Sequence, residues 1–179
     1  DVHRATASEV FGIPLEEVSG EQRRYAKTIN FGLIYGMGAF GLASALGIEQ
    51  KAAKDYIDRY FTRFAGVKRY MDETKAGAAE RGYVSTLFGR RIYLPEIRGG
   101  NGPRRAGAER QAINAPMQGT AADLIKLAML AVQAELDRAG KQSRIVMQVH
   151  DELVFEVPEA ELDWMRAEVP RLMAGVAQL

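Results

Sequence analysis

The segment RRYAKTINFGLIYGMG, residues 23 to 38, repeats chemically useful side chains at a regular interval. Four of them recur at every fourth position: Arg23, Lys27, Phe31 and Tyr35. Each step of four residues turns about 40° around a helix, so one face would carry cations at one end and rings at the other. Arg and Lys bind phosphate oxygens, and aromatic faces stack on bases. A nucleoside triphosphate matches that order, although an amphipathic helix with solvated cations would show the same spacing.

Glycines divide and follow this predicted helix. Gly32 lies inside it, where glycine is about 1 kcal/mol less favourable than alanine, which suggests that another group packs closely there. Gly36 and Gly38 follow the aromatic end. We expect these two glycines to stop the helix and to let it pivot.

Two adjacent carboxylates, Asp151 and Glu152, lie between two apolar β runs in QVHDELVFEV. The pattern predicts a hairpin with His150 and Asp151 at its bend. Neighbours on an extended chain point to opposite faces, so one carboxylate rather than both would offer an oxygen to Mg²⁺. A polar hairpin tip without a metal is the alternative.

Arg110, Asn114 and Gln118 also recur at every fourth position, and all three side chains carry hydrogen-bond donors. The minor groove of DNA presents an acceptor at the same place in every base pair. Donors aimed there would test the geometry of a pair without reading its sequence. A polar helix face in water is the alternative interpretation.

The net charge of +1 on 179 residues conceals two charged regions. Residues 81–110 hold seven arginines against two glutamates, a net +5, whereas residues 151–179 have a net −5. Such asymmetry is typical of a surface that faces a polyanion beside an acidic site, or of two solvated faces. The absence of cysteine excludes a disulfide framework and fits a cytoplasmic protein. No run of 18 apolar residues indicates a membrane span, and the polar N-terminus does not resemble a signal peptide.

The hydrophobic periodicity predicts an α+β fold that is mainly helical. Ser19 and Gln22 form a capping-box pattern at one helix start. Pro116 and Gly119 are expected to kink or interrupt the longest helix, and Pro170 the last one. Residues 97–105 are expected to form a loop. We expect helices over residues 3–11, 21–37, 40–47, 48–82, 103–139 and 159–178, and hairpins over 83–95 and 144–157.

Three motifs resemble those of family A DNA polymerases, the bacterial DNA polymerase I group. The pattern R-x3-K-x7-Y-G resembles the helix of the fingers subdomain that binds the incoming nucleotide. The segments INAPMQGTAAD and QVHDELVFEV, residues 113–123 and 148–157, are similar to segments of the same group. The resemblance covers almost the whole chain in order, and it implies a bacterial cytoplasmic enzyme that copies DNA.

The resemblance implies that the fingers helix binds a deoxynucleoside triphosphate and rotates to close over it. Arg23, Lys27, Phe31 and Tyr35 would then bind nucleotide, with Lys27 also catalytic. His3, in DVHRATASEVFG, is similar to a phosphate-contacting histidine of the family. Phe31 matches a position near the sugar, where phenylalanine disfavours dideoxynucleotides and tyrosine accepts them.

By the same resemblance, Asp151 is a catalytic metal ligand and Glu152 has a supporting catalytic role. The reaction would be attack of a primer 3′-oxygen on the α-phosphate, with two Mg²⁺ ions stabilising the attacking and leaving oxygens. Primer–template contact is implied for Arg110, Asn114, Gln118, His150 and Gly36. Backbone phosphate contact is expected from Arg90, Arg91, Arg104 and Arg105.

The family takes another metal-binding Asp from an upstream segment like DYSQIELR, which this sequence does not contain. We therefore expect helical fingers over residues 1–101 and part of an antiparallel-sheet palm over 102–179. We expect this chain to work together with the remainder of a polymerase chain. The isolated chain is predicted to have little or no polymerase activity. A nucleic-acid-binding module without chemistry is one alternative. A fragment of a single-subunit RNA polymerase is another, against which HDE and INAPMQGTAAD argue.

Overall fold

The computed structural model describes residues 1–99 and 101–178, which form eight α-helices and four β-strands. Two short 3-10 helices, Leu15–Glu17 and Glu159–Glu161, precede α2 and α8. The helices are α1 Val2–Phe11, α2 Gly20–Ile34, α3 Ala39–Leu46, α4 Gln50–Arg63, α5 Ala65–Arg81, α6 Glu96–Gly99, α7 Gly102–Arg138 and α8 Leu162–Ala174. The strands are β1 Tyr83–Ser85, β2 Arg91–Tyr93, β3 Arg144–Val149 and β4 Glu152–Glu156. The predicted fold class, mainly helical α+β, is confirmed.

The chain divides into two compact units, and each has its own core. The first holds residues 1–85 and 91–115, and the second holds residues 86–90 and those from Pro116 onward. The division falls within α7 rather than at residue 101, and the proposed boundary between fingers and palm stays a prediction. No helix among the described residues combines the length and apolarity that a membrane crossing requires.

The first unit packs α2 between apolar side chains from several helices. Ile29 and Leu33 of α2 are fully buried in a core that also holds Val10, Leu42 and Tyr60. The predicted capping box is confirmed: the Ser19 hydroxyl accepts from the Gln22 N–H, and the Gln22 side chain accepts from the Ser19 N–H. These bonds satisfy backbone donors that a helix start leaves without partners. The helix therefore starts after Ser19, as its sequence predicts, and its apolar side faces the core.

The single helix predicted over residues 48–82 is wrong, because Phe64 separates α4 from α5. Its φ of −108° and ψ of 55° are not helical. The Phe64 ring lies 4.9 Å from the Tyr60 ring, against the apolar core. A break at one residue hardly alters the apolar spacing, so periodicity does not reveal it.

The loop predicted over residues 97–105 is also wrong for most of its length, and Gly100 lies outside the described residues. Ile97 is buried in the short helix α6, in a core with Val84 and Leu94. The Asn101 side chain accepts from the Arg104 N–H at 3.2 Å, the contact of a helix cap. Proline is tolerated in the first turn of a helix, so these residues begin a helix instead of forming a loop.

The interruptions predicted at Pro116 and Gly119, and at Pro170, do not occur: α7 continues through Pro116 and α8 through Pro170. The alternative, a kink at Pro116 and Gly119, stays a prediction. A proline inside a helix removes an N–H and crowds a carbonyl. Side-chain hydroxyls bond to carbonyls near Pro116. Tyr70 donates to the Ile113 oxygen at 2.9 Å, and Thr120 donates to the Pro116 oxygen at 2.6 Å. Neither carbonyl is the Ala112 oxygen that the missing Pro116 N–H would have bonded, so these contacts anchor the helix near Pro116 without replacing the lost bond.

The second hairpin, β3 and β4, packs one face on its own unit. Ile145 and Phe155 lie against the buried side chains of Val132, Leu136 and Met165. The other face leaves Val146, Met147, Val149 and Val154 exposed. The sheet has two strands within the described residues, so the outer edges of the strands are unpaired there.

Met37 is the group that packs against Gly32. A Cβ added at Gly32 would lie 3.0 Å from the Met37 sulfur, and one added at Gly41 would lie 2.9 Å from the Met37 Cγ. The Met37 N–H also donates to the Gly32 oxygen at 2.7 Å. The two glycines thus let one methionine fill the corner between α2 and α3.

We predict that Gly41→Ala lowers the free energy of unfolding by about 1–3 kcal/mol, because the methyl group overpacks the Met37 side chain. Gly66→Ala is the matched control, since it lies in the first turn of α5 with nothing within 4 Å of an added Cβ. It should be neutral or stabilising, by at most about 1 kcal/mol. Urea unfolding of both variants measures the difference. Equal stabilities would contradict the packing described for Met37.

Candidate functional site

The side chains of Lys27, Phe31 and Tyr35 lie together on one exposed face at the end of α2. The Phe31 and Tyr35 rings are stacked, with centroids 6.1 Å apart and planes 21° apart. The Lys27 ammonium lies 5.8 Å from the Phe31 centroid. Both rings are 42% exposed, although aromatic side chains at helical spacing usually face a core. The face can therefore offer a flat surface and a cation to a ligand.

The first turn of α1 adds His3 to this face. The His3 ring centroid is 5.5 Å from that of Phe31. Asp1 joins the two helices: one of its oxygens caps α1 by accepting from the His3 and Arg4 N–H groups, and the other accepts from the Arg23 Nε at 2.7 Å. We define the cation–aromatic face as His3, Arg23, Lys27, Phe31 and Tyr35.

The cation–aromatic face is electropositive, and burial and this charge together lower the pKa of His3. Partial burial lowers the pKa of His3 below its usual value, and the charges of Arg23 and then Lys27 lower it further. The imidazole is therefore neutral near pH 7. A neutral imidazole can donate one N–H to an anion, and it adds no third positive charge beside Arg23 and Lys27.

Sequence reasoning missed the groups behind His3. Asn30 is buried on α2, with its side-chain nitrogen 3.0 Å from His3 Nδ1 and 3.0 Å from Thr6 Oγ1. The sequence does contain a signal, because Asn30 is the polar residue in the run INFGLI, where the helix turns its apolar side inward. A buried amide needs hydrogen-bond partners, and these come from α1.

Position 36 favours glycine for two physical reasons. Its φ of 77° lies in the left-handed region, which strongly favours glycine. A Cβ at this position would also lie 3.1 Å from Cγ of Arg110. The predicted DNA-contacting residues Gly36 and Arg110 are thus packed against each other in the first unit.

The three donors of α7 differ in what they can offer. Arg110 and Gln118 are exposed. The Asn114 side chain donates through Nδ2 to the Arg110 carbonyl oxygen at 2.9 Å. Its own oxygen is buried without a hydrogen-bond partner among the described residues. Asn114 is therefore turned partly toward its own helix in this structure.

The four arginines expected at phosphates all have partners within the protein. Arg90 Nε donates to Asp123 at 2.7 Å, and another Arg90 nitrogen donates to the Gly119 oxygen at 3.0 Å. These bonds tie the tip of the first hairpin to α7, so Arg90 has a structural role. All four arginines are exposed. Arg91 stacks on Tyr83, Arg104 is 3.9 Å from Glu96, and Arg105 is 3.2 Å from Glu109.

The carboxylates Asp151 and Glu152 lie at the tip of the second hairpin. Val149 pairs with Glu152, which leaves His150 and Asp151 as the two turn residues. His150 has a φ of 54°, the only positive value among the described non-glycine residues. Asp151 and Glu152 are exposed, and their oxygens suit a hard cation such as Mg²⁺. No group of three His, Asp or Glu side chains that could hold a metal forms within residues 1–99 and 101–178.

Glu161 holds the start of the hairpin in place. Its carboxylate accepts from the Gln142 N–H, from the Ser143 N–H and from the Ser143 hydroxyl, at 3.0, 2.9 and 2.5 Å. The Ser143 hydroxyl first, and then the backbone N–H groups, keep the pKa of Glu161 below its usual value. Nothing in the sequence marked this residue, because its partners lie 18 and 19 positions away.

Comparison with known proteins shows the family of this chain. The sequence model of the family described as DNA polymerase family A matches residues 1–179. DNA polymerase I of Pseudomonas aeruginosa is 62% identical over 179 residues, which are 100% of this chain and 20% of that protein. DNA polymerase I of Rhizobium leguminosarum is 53% identical over 165 residues, 91% of this chain and 16% of that protein. The chain therefore belongs to DNA polymerase family A.

A solved structure has the same fold. It is the POL domain of Pol1 from M. smegmatis in complex with DNA primer-template and dNTP, with a TM-score of 0.93 and 45% identity. The match covers 100% of this chain and 32% of that one. The chain spans about a fifth of the length of the curated relatives that it matches.

We predict that Glu161→Gln destabilises the second unit above about pH 4.3, the usual value for a glutamate, where both folded and unfolded wild-type carboxyls are ionised. The lowered pKa means that this stabilisation is lost as pH falls through the folded-state value. Thermal unfolding from pH 7 to pH 3 should show a gap between variant and wild type that closes in acid. Glu159→Gln, which removes no side-chain hydrogen bond within the described chain, is the control. A gap that does not depend on pH would argue against the charged role of Glu161.

Proposed function

We propose that this chain carries the nucleotide-binding part of a template-directed DNA polymerase, together with one carboxylate-bearing hairpin of its catalytic centre. One observation carries the proposal: His3, Lys27, Phe31 and Tyr35 lie together at an exposed face in a chain of DNA polymerase family A. The substrates would be deoxynucleoside triphosphates and primer–template DNA. The relative from M. smegmatis is described in complex with both kinds of molecule. A cytoplasmic location stays a prediction.

The cation–aromatic face divides into two chemical parts. Arg23 and Lys27 neutralise the charge of the triphosphate, as positioned cations do in phosphoryl transfer. His3 donates an N–H to a phosphate oxygen. Phe31 and Tyr35 pack against the sugar and the base, and base stacking of this kind is worth about 1–3 kcal/mol.

The primer 3′-hydroxyl loses its proton to water, and its oxygen attacks the α-phosphate. A phosphodiester bond forms, the bond between the α- and β-phosphates breaks, and pyrophosphate leaves. Lys27 stabilises the negative charge that builds on the phosphates as the bond to the leaving group breaks. Asp151 would hold Mg²⁺, with Glu152 in support, and a bound divalent ion supplies further stabilisation of phosphate charge. Arg110, Asn114, Gln118, Gly36 and His150 would contact the primer–template.

We predict that Lys27→Met lowers kcat/KM for deoxynucleotides by about tenfold to a hundredfold, because a charge-assisted hydrogen bond to phosphate is lost. Methionine keeps the length and apolar stem of the side chain. Single-nucleotide primer extension by a polymerase that contains this chain measures the effect. Lys51→Met, at an exposed position of α4, is the matched control. An unchanged kcat/KM for Lys27→Met would refute the proposed role.

We also predict that Phe31→Tyr raises the incorporation of dideoxynucleotides relative to deoxynucleotides. The Phe31 ring is partly exposed between Lys27 and Tyr35, so a hydroxyl can be added beside the sugar without burying it. Phe40→Tyr is the control, because Phe40 is 77% exposed on α3. The ratio of kcat/KM for the two nucleotide types is the measurement. Equal selectivity in all three proteins would exclude Phe31 as the residue near the sugar.

A further inference from the structure

Thr6 determines how the Asn30 amide is oriented. The Thr6 Oγ1 lies 2.9 Å from the Val2 carbonyl oxygen. A carbonyl only accepts, so the Thr6 hydroxyl donates its single proton there. The same Oγ1 can then only accept from Asn30, 3.0 Å away. Asn30 must therefore present its NH₂ group to α1.

The orientation of Asn30 determines in turn where the His3 proton lies. The NH₂ group has two protons, and its two neighbours in α1 are Thr6 Oγ1 and His3 Nδ1, each at 3.0 Å. If Asn30 donates to both, Nδ1 must be the unprotonated nitrogen of the ring. The proton of a neutral imidazole is then on Nε2, and Nε2–H is the group left to donate to a ligand.

The surroundings make this arrangement stiff. Asn30 is 6% exposed and Thr6 is 1% exposed, so water does not readily replace these hydrogen bonds. The Phe31 ring, next to Asn30 in sequence, lies against the His3 ring at an angle of 47°. The cations that lower the His3 pKa are Arg23 and Lys27 of α2 and then the α-amino group of Asp1, and each disfavours a second ring proton. The Asp1 carboxylate, which accepts from the His3 backbone N–H, is itself paired with Arg23.

We propose that Asn30 is a positioning residue that holds His3 as the Nε2–H tautomer, so that its free N–H points at a triphosphate oxygen. The role of the His3 N–H toward a triphosphate rests on the proposed nucleotide-binding function. The hydrogen bonds that select the tautomer do not depend on that function. Asn30 does not touch the nucleotide. It acts through His3, and Thr6 acts through Asn30.

The tautomer is measured directly by the ¹⁵N chemical shifts of the imidazole nitrogens in a labelled polymerase that contains this chain. His3→Gln identifies the His3 signals. Above the His3 pKa, we expect Nε2 to be protonated and Nδ1 to be unprotonated. Asn30→Asp keeps the shape but offers only acceptors, so it should move the proton to Nδ1. A protonated Nδ1 in the wild type, or no change in Asn30→Asp, would overturn the inference.

Kinetics separate positioning from general stability. Asn30→Ala should raise the KM for deoxynucleotides by about threefold to tenfold, the value of one hydrogen bond, with a smaller effect on kcat. In the His3→Gln background the same substitution should add little, because residues that act through one another are not additive. Full additivity would overturn the inference. Thr6→Ser keeps the hydroxyl and should preserve both the tautomer and the KM.

The two proposals fail in different ways. If His3→Gln leaves the KM unchanged, His3 does not bind nucleotide and that part of the proposed function is wrong. The ¹⁵N shifts still test whether Asn30 controls the tautomer. If Asn30→Ala proves too unstable to assay, Asn30→Asp tests the same hydrogen bond with the side-chain volume retained.

Discussion

The candidate site depends on the packing of α1 against α2. Small buried residues, Ala7 on α1 and Ala26 on α2, lie with Val18 in one apolar cluster and let the helices approach closely. That approach places the Asn30 amide within hydrogen-bond distance of His3 and Thr6. An unpaired buried amide would be unfavourable by about 1–3 kcal/mol, so these bonds also keep the two helices in register.

Helix α2 has one face buried in the core and another face exposed to solvent. Ile29 and Leu33 are buried and make the helix part of the core. Lys27, Phe31 and Tyr35 remain exposed, although two of them are aromatic. Glycine and methionine adjust the end of the helix, since Met37 fills the space beside Gly32, and Gly36 packs against Arg110. The features that end α2 therefore also connect it to its neighbours.

Charged residues from the same region of the sequence make different contacts in the structure. The basic region 81–110 suggested a surface for phosphate, yet Arg90 ties a hairpin tip to α7 through Asp123 and Gly119. The acidic region contains Asp151 and Glu152, which are exposed at a turn. It also contains Glu161, which accepts three hydrogen bonds and holds the start of that hairpin. Composition cannot separate these cases, because it records charge without contacts.

The fold class, the family and the spacing of Arg23, Lys27, Phe31 and Tyr35 could be predicted from the order of the amino acids alone. These features depend on local periodicity and on motifs contiguous in the chain. The break at Phe64, the continuity of α7 through Pro116, and the hydrogen bonds of Asn30 and Glu161 become visible only once the chain is folded. Each of these depends on packing or hydrogen bonds between residues far apart in sequence, and neither propensity nor spacing contains that information.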